Sequence, residues 1–450
     1  MQQMVRDPVA ALAAAPAWPH PSRAWITVFV LMVAYATAFV DRQILTLLVE
    51  PVRRDLAITD TQFSLLSGLA FTLFYTLMGI PLAWMADRGS RRNLIMLSVA
   101  VWSAMTAACG MANSFLTLFL ARVGVGIGEA GLSPAAYSLI ADSFPPVKRA
   151  RAMGVYAMGS IMGVGMALII GGAVVQWALS SPPIVLPLVG ELRSWQVAFI
   201  AVSLPGPVLV LAMSLLREPA RHGVSVAAKA PSEPLGPFMR KQWRVFTLLS
   251  AGYSLVGVAI AAYLTWAPAF LIRAYGWEVG QVGAVLGSIL LVGSTTGILV
   301  GGWWTDRFAA AGRKDAVLLV AMIGGGAAFP FALAAPFAPD GIIAAILLAL
   351  MFTAIGLTQG LPAVSFQAIA PNRLRARVMA LYLLIGNIVA FTIGPTAVAL
   401  ISDNWLRDPA KIGVAVAIVT AVVIPLGLVA LALARKPYIR AVEEAEAAEA

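Results

Sequence analysis

Long apolar runs recur along the whole chain and constrain its fold more than any other feature of the sequence. Each run holds roughly 20 residues or more, the length that an α-helix needs to cross a hydrocarbon layer of ~30 Å. A water-soluble fold cannot bury so much apolar surface, because 60% of the 450 residues are hydrophobic and only 12% are charged. The sequence therefore predicts an all-α, polytopic membrane protein.

Charged or Pro/Gly-rich breaks divide the runs into twelve predicted spans, and one long polar link separates the first six from the last six. The predicted spans are 25–50, 61–84, 93–112, 114–142, 150–178, 195–216, 244–273, 278–304, 315–337, 341–369, 376–402 and 411–435. The predicted organisation is a tail at 1–24, a six-helix bundle at 25–216, a linker at 217–243, a second bundle at 244–435 and a tail at 436–450.

The distribution of Lys and Arg predicts the orientation of the chain, because cytoplasmic loops collect positive charge. With both termini inside, 23 of the 31 Lys and Arg residues fall on the inner side, 6 on the outer side, and Arg42 and Arg122 within spans. We therefore expect a multi-pass protein of the cell (inner) membrane. Both termini, the tails and the linker should be cytoplasmic, and the chain should contact membrane lipids. The cations are spread over short loops, so we expect no nucleic-acid partner.

Cysteine and histidine usage argues against most enzyme classes. The single cysteine, Cys109, lies in an apolar run, and His20 and His222 fall in connecting segments. No metal ligand set and no nucleophile with a histidine base is evident in the spans. We expect no metal, no cofactor and no catalytic site, and any proton carrier within the membrane must be a carboxylate.

Two loop motifs recur in the two halves of the chain. Asp87-Arg88 before Arg91-Arg92 follows the second span, and Asp306-Arg307 follows the eighth, at an offset of 306 − 87 = 219. The segment 149–153 before the fifth span matches 375–379 before the eleventh, at an offset of 375 − 149 = 226. Two motifs at nearly one spacing indicate duplication of a six-helix unit.

These loops resemble those of the major facilitator superfamily. The family motif Gly-x-x-x-Asp-Arg-x-Gly-Arg-Arg aligns with residues 83–92, where Ala83 replaces the first glycine, and the second copy begins at Gly302. The resemblance implies two pseudo-symmetric six-helix bundles that alternate in access. It also implies a conformational switch that bridges helix ends on the inner side in the outward-open form, made of Asp87, Arg88, Arg91, Arg92, Asp306 and Arg307.

Four ionisable residues remain inside the spans, namely Asp41, Arg42, Arg122 and Glu129. Each costs about 2.5–3.5 kcal/mol at a helix centre, so we expect them to face a polar cavity and to pair. Asp41 and Arg122 both lie roughly 12–14 Å below the outer surface, which predicts an ion pair between them, and Glu129 lies ~10 Å deeper along the same helix face. Glycines between Arg122 and Glu129 predict close helix packing and leave room beside the charges.

Residues 35 to 160 resemble the Spinster family of lipid transporters more narrowly, as a bacterial homologue. The matching residues are Phe39-Val40-Asp41-Arg42, Gly126 to Ala130, Ser133, Ile140-Ala141-Asp142 and Phe144-Pro145. Spinster relatives move sphingosine phosphate and lysophospholipids. The resemblance implies that Asp41 and Glu129 are proton-linked acids, that Arg42 and Arg122 contact a headgroup, and that Glu129 also faces the substrate.

The second half contains aromatic residues suited to an acyl chain. Tyr253, Tyr263 and Trp266 in the seventh span, with Phe352 and Phe366 in the tenth, predict an apolar wall opposite the charged first half. Breaks at Gly360-Leu361-Pro362 and Gly394-Pro395 are expected to line the cavity or to bend during gating.

Our leading hypothesis is therefore a monomeric, proton-coupled transporter of an amphipathic lipid such as a lysophospholipid or a sphingoid phosphate. The same charges are compatible with an exporter of drugs or other organic ions. A membrane-embedded lipid enzyme lacks a catalytic constellation, and a channel fits the two-half repeat less well.

Overall fold

The computed structural model describes residues 18–182, 184–186, 190–222, 235–371 and 374–449. Residues 1–17 of the predicted N-terminal tail, 223–234 of the predicted linker and 450 lie outside the described residues. Twelve helices in the described part are long and apolar enough to span a membrane, which confirms the predicted number. They are α1 Pro21–Leu47, α2 Asp60–Arg88, α3 Arg91–Cys109, α4 Phe115–Ser143, α5 Pro146–Ser180, α6 Ser194–Ser214, α7 Leu235–Tyr275, α8 Val279–Ala310, α9 Ala316–Phe337, α10 Gly341–Ile369, α11 Arg377–Leu406 and α12 Pro409–Ala447.

The first half (α1–α6) and the second half (α7–α12) repeat the same internal packing. Helix α1 packs on α5 as α7 packs on α11, α2 packs on α4 as α8 packs on α10, and α3 packs on α4 as α9 packs on α10. The duplicated six-helix unit inferred from the loop motifs is therefore confirmed. An even number of spans places both chain ends on one side, called here the terminal face, and the other side is called the opposite face.

Glycines bring the two halves into backbone contact along two seams. Between α5 and α8, a Cβ added to Gly172 would lie 2.9 Å from Cα of Gly283, and one added to Gly165 would lie 2.7 Å from the carbonyl of Gly287. Between α2 and α11, a Cβ on Gly68 would lie 2.5 Å from the carbonyl oxygen of Phe391. A larger residue at these positions would separate the halves, because the obstacle is backbone.

Local capping explains why several helices begin where the sequence predicts. Ser114 and Thr117 form a capping box at the start of α4, and Thr59 forms another with Gln62 at the start of α2. The Asp340 carboxylate accepts hydrogen bonds from the backbone N–H groups of residues 342 and 343 at the start of α10. Each cap satisfies N–H groups that the first helical turn leaves unpaired.

Both ends of the second half are more helical than the predicted linker and tail suggest. Helix α7 begins at Leu235 and has non-helical dihedrals at Gln242, and α12 continues as a helix to Glu449. The Ala- and Glu-rich end of α12 favours a helix by intrinsic propensity. It is tied to the terminal face by ion pairs from Lys314 to Glu446 (2.9 Å) and from Lys241 to Glu444 (2.9 Å).

Strands and π-helical turns are among the departures from regular α-helix. Ile184–Leu186 and Gly190–Leu192 form a two-stranded antiparallel ladder between α5 and α6, a small exception to the predicted all-α fold. Stretches of π-helix interrupt α2 at Leu65–Leu69, α8 at Ile289–Ser294, and α11 at Val389–Ile393 and Ile401–Leu406. Such insertions are frequent at functional sites, and the first three include residues that line the central cavity described below.

Candidate substrate cavity

A cavity of about 480 Å³ lies between the two halves. Its lining comes from α1, α2, α4 and α5 of the first half and from α7, α8, α10 and α11 of the second half. Arg42 and Arg122 are the charged side chains among its described lining residues, and both belong to the first half. A cavity of this size between two repeats is typical of a small-molecule site.

Arg42 is the centre of the charged part of the cavity. Its Nε donates a hydrogen bond of 2.6 Å to Oε2 of Glu129, whose side chain is fully buried. The guanidinium also lies over the rings of Phe39, Phe71 and Tyr75, at 5.0, 4.6 and 4.6 Å from their centroids. Cation–π contacts and one carboxylate hold the guanidinium against an aromatic wall, with 21% of its side chain exposed.

The ion pair predicted between Asp41 and Arg122 is wrong. Arg122 instead donates from Nη1 to the backbone carbonyl of Asp41 at 3.1 Å, while its ring contact is Phe71 at 5.5 Å. Asp41 is 1% exposed, and its Oδ1 has no hydrogen-bond partner among the described residues. Arg42 is one residue further along α1, so its side chain points about 100° away from that of Asp41. It is Arg42, rather than Arg122, that pairs with a carboxylate, that of Glu129.

The glycines of α4 serve packing rather than open space. A Cβ on Gly124 would lie 2.5 Å from Met105, and one on Gly128 would lie 2.6 Å from the backbone nitrogen of Trp102, both on α3. The predicted close approach is therefore confirmed. The expected room beside the charges is not found, because neighbouring helices occupy it.

The predicted aromatic wall of the second half is only partly present. Tyr253 and Phe352 line the cavity, but Tyr263, Trp266 and Phe366 do not. The hydroxyl of Tyr263 donates to the carbonyl of residue 332, Trp266 donates to that of residue 395 at 3.0 Å, and Phe366 stacks on Tyr382 at 4.5 Å. Tyr263 and Phe366 pack within the second half, whereas Trp266 packs between the halves, with its ring centroid 5.9 Å from that of Phe63 on α2.

Sequence reasoning missed the aromatic residues of the first half, Phe39, Phe71 and Tyr75. All three line the cavity around Arg42. Their spacing from the membrane-embedded charges offered a signal, since Phe39 lies three residues before Arg42 and Phe71 and Tyr75 are one turn apart on α2.

A family model described as Major Facilitator Superfamily matches residues 31–395, which is most of the chain. The chain belongs to the major facilitator superfamily. Over 352 residues it is 30% identical to a probable sulfoacetate transporter of Cupriavidus necator, a match that covers 73% of this chain and 76% of that protein. Over 392 residues it is 29% identical to an MFS-type efflux pump of Mycolicibacterium smegmatis, and the match covers 86% of each protein.

The resemblance to Spinster proteins is also confirmed. The chain is 29% identical over 266 residues to human protein spinster homolog 1, covering 56% of this chain and 47% of the human protein. The crystal structure of a bacterial homologue of the human lysosomal transporter Spinster, inward-facing and unoccupied, superposes with a TM-score of 0.77. That pair is 28% identical, and the match covers 94% of this chain and 98% of the other.

Within the part of the chain that the structure describes, residues 87–92 and their counterparts Asp306 and Arg307 make no ion pair between the two halves. Arg91 is buried and bonds the carboxylates of Asp142 and Glu218, both in the first half or at its end. Burial tends to raise the pKa of Glu218, but hydrogen bonds from the Arg91 side chain, the Arg92 backbone and Ser90 lower it overall.

Exposed arginines of the two motif copies make equivalent contacts with tryptophans in the two halves. Arg88 lies over Trp84 at 4.0 Å, and Arg307 lies over Trp303 at 5.7 Å in the equivalent place of the second half. Arg92 donates to the carbonyl of residue 216, and the carbonyl of Asp87 accepts from Arg221. Asp87 and Asp306 are both exposed on the terminal face. Their role as a switch in another conformation stays a prediction.

A network that joins the halves lies instead on the opposite face, and sequence reasoning missed it. Arg273 at the end of α7 donates to both carboxylate oxygens of Asp60 on α2, at 2.9 and 2.8 Å, and to Glu50 at 2.5 Å. Asp60 is fully buried and also pairs with Arg53 at 2.9 Å. These residues lie at span ends, where charges are common, so their pairing had no sequence signal.

Hydroxyl contacts between α2 and α11 extend this network. The carboxylate of Asp403 accepts from the backbone N–H and the hydroxyl of Thr61, both at 2.7 Å. Ser402 donates to Asp60 at 3.2 Å, and Ser64 donates to Thr396 at 3.2 Å. On the terminal face, the ion pairs of Arg91 and Lys314, and that of Arg435 with Asp315 at 2.5 Å, each stay within one half. The structure is thus a conformation closed at the opposite face.

Proposed function

We propose that this chain is a proton-coupled secondary transporter that moves an amphipathic lipid anion, such as a lysophospholipid or a sphingoid phosphate, by alternating access. The observation that carries the proposal is the Arg42–Glu129 pair at the wall of a cavity between two repeated halves. It combines an anion-binding group with a titratable one. Its Spinster relatives support a lipid, and membership of a transporter superfamily supports transport rather than catalysis.

Coupling follows from competition for one guanidinium. A substrate phosphate and the Glu129 carboxylate both require the N–H groups of Arg42. Protonation of Glu129 removes its charge and releases Arg42 to the substrate, whereas deprotonation restores the internal pair. A site where proton binding and substrate binding alter each other allows a proton gradient to drive substrate movement by linkage.

Asp41 is the second acid in this proposal. It is buried beside the Arg122 contact, and one carboxylate oxygen lacks a hydrogen-bond partner among the described residues. A buried carboxylate with one oxygen unpaired is better accommodated when it carries a proton, because the charged form needs partners in a medium of low polarity. Asp41 and Glu129 thus provide two proton positions on neighbouring helices.

The aromatic wall suits the apolar part of the ligand. Phe39, Phe71 and Tyr75 face the cavity from the first half, and Phe352 and Tyr382 face it from the second. A phosphate at Arg42 would leave an acyl chain in contact with these rings, where burial of each methylene is worth about 0.8 kcal/mol.

We also propose the orientation and assembly that the sequence predicts. The terminal face is cytoplasmic in the cell (inner) membrane, so that the present conformation is inward-facing, and the protein works as a monomer surrounded by membrane lipids. The excess of Lys and Arg on the terminal face supports this orientation.

A second candidate is export of drugs or transport of small organic anions. The named efflux pump and the probable sulfoacetate transporter among the relatives support it, and Arg42 suits a sulfonate as well as a phosphate. The volume of the cavity is compatible with both ligand classes.

One experiment separates these functions. Purified protein is screened by thermal shift with lysophospholipids, sphingoid phosphates, sulfoacetate and cationic drugs, and the binders are then tested for uptake into proteoliposomes with and without a pH gradient. Stabilisation by lipid anions and gradient-driven lipid uptake support the proposal. Stabilisation by sulfoacetate or drugs alone would overturn it in favour of the second candidate.

A further inference from the structure

Helix α10 is broken where it meets the cavity. Its first segment, Gly341–Gly356, ends in a turn that passes through Gly360, and a second segment, Leu361–Ile369, follows. Gly360 has φ of 83°, in the left-handed region that favours glycine, and it lines the cavity with Pro362. The N-terminus of the second segment therefore lies at the cavity wall, where its partial positive charge and free N–H groups favour oxygen acceptors.

A buried hydroxyl without a partner lines the same cavity. Ser254 on α7 is 4% exposed, and its Oγ has no hydrogen-bond partner among the described residues. The neighbouring Tyr253 hydroxyl bonds to Ser365 in the second segment of α10 at 2.7 Å, which ties α7 to that segment. A Cβ added to Gly386 on α11 would lie 3.5 Å from Ser254 Oγ, so α11 approaches the same point.

Two amide side chains complete this part of the wall. Gln359 in the α10 break and Asn387 next to Gly386 both line the cavity. Neither side chain makes a hydrogen bond within the described part of the chain, and Gln359 is exposed. Amide and hydroxyl groups can donate to an uncharged oxygen acceptor such as an ester, ether or hydroxyl group.

We infer that Ser254, Gln359, Asn387 and the N-terminus of the second α10 segment form a second polar subsite, which binds an uncharged oxygen-bearing group of the substrate. The inference rests on the proposed function, because it takes the anionic group to be at Arg42. No carboxylate is among the described lining residues of the cavity. An ammonium group would lack a counter-charge there and would face a helix N-terminus, so the subsite favours a glycerol-type lysolipid over a sphingoid phosphate.

Three ligands with equal chain length test this subsite on the purified full-length protein. They are hexadecyl phosphate, which has only the anion, a lysophosphatidic acid with a hexadecanoyl chain, and a sphingoid phosphate of matching length. We expect equilibrium binding of the lysophosphatidic acid to be about tenfold tighter than that of hexadecyl phosphate, because it gains one or two hydrogen bonds. The sphingoid phosphate should bind no more tightly than hexadecyl phosphate, because the cost of burying its ammonium group without a counter-charge offsets the hydrogen bond that its hydroxyl gains.

Variants test whether the preference for lysophosphatidic acid over hexadecyl phosphate arises at this subsite. Asn387→Leu and Gln359→Leu should each weaken binding of lysophosphatidic acid severalfold more than binding of hexadecyl phosphate, and so reduce the preference. Ser254→Ala, the smallest change, serves if a leucine variant does not fold. Leu383→Ala is the matched control, since it alters the cavity lining without removing a polar group and should affect all three ligands alike.

The outcomes separate this inference from the proposed function. Equal affinity for all three ligands, or a preference that survives in the variants, would overturn the second subsite while leaving the lipid anion site intact. If the sphingoid phosphate bound more tightly than the lysophosphatidic acid, the argument that the subsite disfavours an ammonium group would be overturned. Failure of hexadecyl phosphate to bind at all would overturn the anion site at Arg42, and the subsite inference with it.

Discussion

Arg42 Nε on α1 lies 2.6 Å from Oε2 of Glu129 on α4, 87 positions further along the chain, while Oε1 of Glu129 has no hydrogen-bond partner among the described residues. This pair links the cavity wall to a fully buried carboxylate. Arg42 lines the cavity and Glu129 does not. A bound ligand would therefore affect the Glu129 carboxylate through its contact with the Arg42 guanidinium.

The first prediction concerns proton coupling. Glu129→Gln should reduce uptake driven by a pH gradient by at least about tenfold and retain ligand binding, because a neutral amide no longer exchanges a proton with the Arg42 pair. Asp41→Asn should also reduce uptake driven by a pH gradient. The sequence alone favours Asp41 as the more severe site, but the observed pairing reverses that order. Proteoliposome uptake with equilibrium binding measures both effects, and Glu191→Gln in the hairpin is the control. Gradient-driven accumulation at the wild-type level in both variants would disprove the proton site.

The second prediction separates the two arginines. Arg42→Ala should weaken binding of anionic lipids by about ten- to a hundredfold, since a charge-assisted hydrogen bond contributes about 1.5–3 kcal/mol. Neutral amphiphiles of equal length should lose much less. Arg122→Ala should mainly lower the melting temperature, because Arg122 is 1% exposed and holds the Asp41 carbonyl. Equal losses for charged and neutral ligands in Arg42→Ala would indicate structural damage rather than a lost anion contact.

The third prediction concerns the network on the opposite face. Asp60→Asn should open that face, because Arg273 is left without its fully buried partner, at a cost of about 3–5 kcal/mol to the closed conformation. A bias of about 3 kcal/mol changes a two-state equilibrium more than a hundredfold.

Cysteine labelling measures this opening. In a background with Cys109→Ala, labelling of Thr46→Cys in the cavity by a membrane-impermeant reagent from the opposite face should rise severalfold with Asp60→Asn. Arg54→Gln, an exposed neighbour, is the control and should leave labelling unchanged. Unaltered labelling in a folded Asp60→Asn protein would show that the network does not hold the face closed.

The fourth prediction uses Glu218, which accepts from Ser90, Arg91 and Arg92 at the terminal face. Its pKa is lowered in the folded protein, so its charged form stabilises the fold above the usual glutamate pKa and this contribution is lost as pH falls toward the folded value. Glu218→Gln should therefore lower the melting temperature by a few degrees at neutral pH, and the difference should shrink below about pH 4. Thermal unfolding in detergent across pH, with Glu191→Gln as control, measures it. If the difference in melting temperature between the wild type and Glu218→Gln grew as the pH fell, the lowered pKa assigned to Glu218 would be contradicted.

The sequence by itself determined the twelve spans, the six-plus-six division and the four charges inside the membrane. These features are local or periodic. The length of an apolar run must match the thickness of the hydrocarbon layer, and caps such as Ser114 and Asp340 mark helix starts within a few residues. The duplicated loop motifs likewise predicted the repeat that the packing of α1–α6 and α7–α12 confirms.

Tertiary structure alone decided which of these groups meet. Depth along a helix can be counted from the sequence, but the direction of a side chain changes by about 100° per residue, so small changes in helix rotation exchange partners. For this reason Arg42 rather than Arg122 pairs with a carboxylate, and Tyr263 and Trp266 pack away from the cavity while Phe71 and Tyr75 line it. The contact of Arg273 with Asp60 joins residues 213 positions apart, and only the docking of the two halves brings them together.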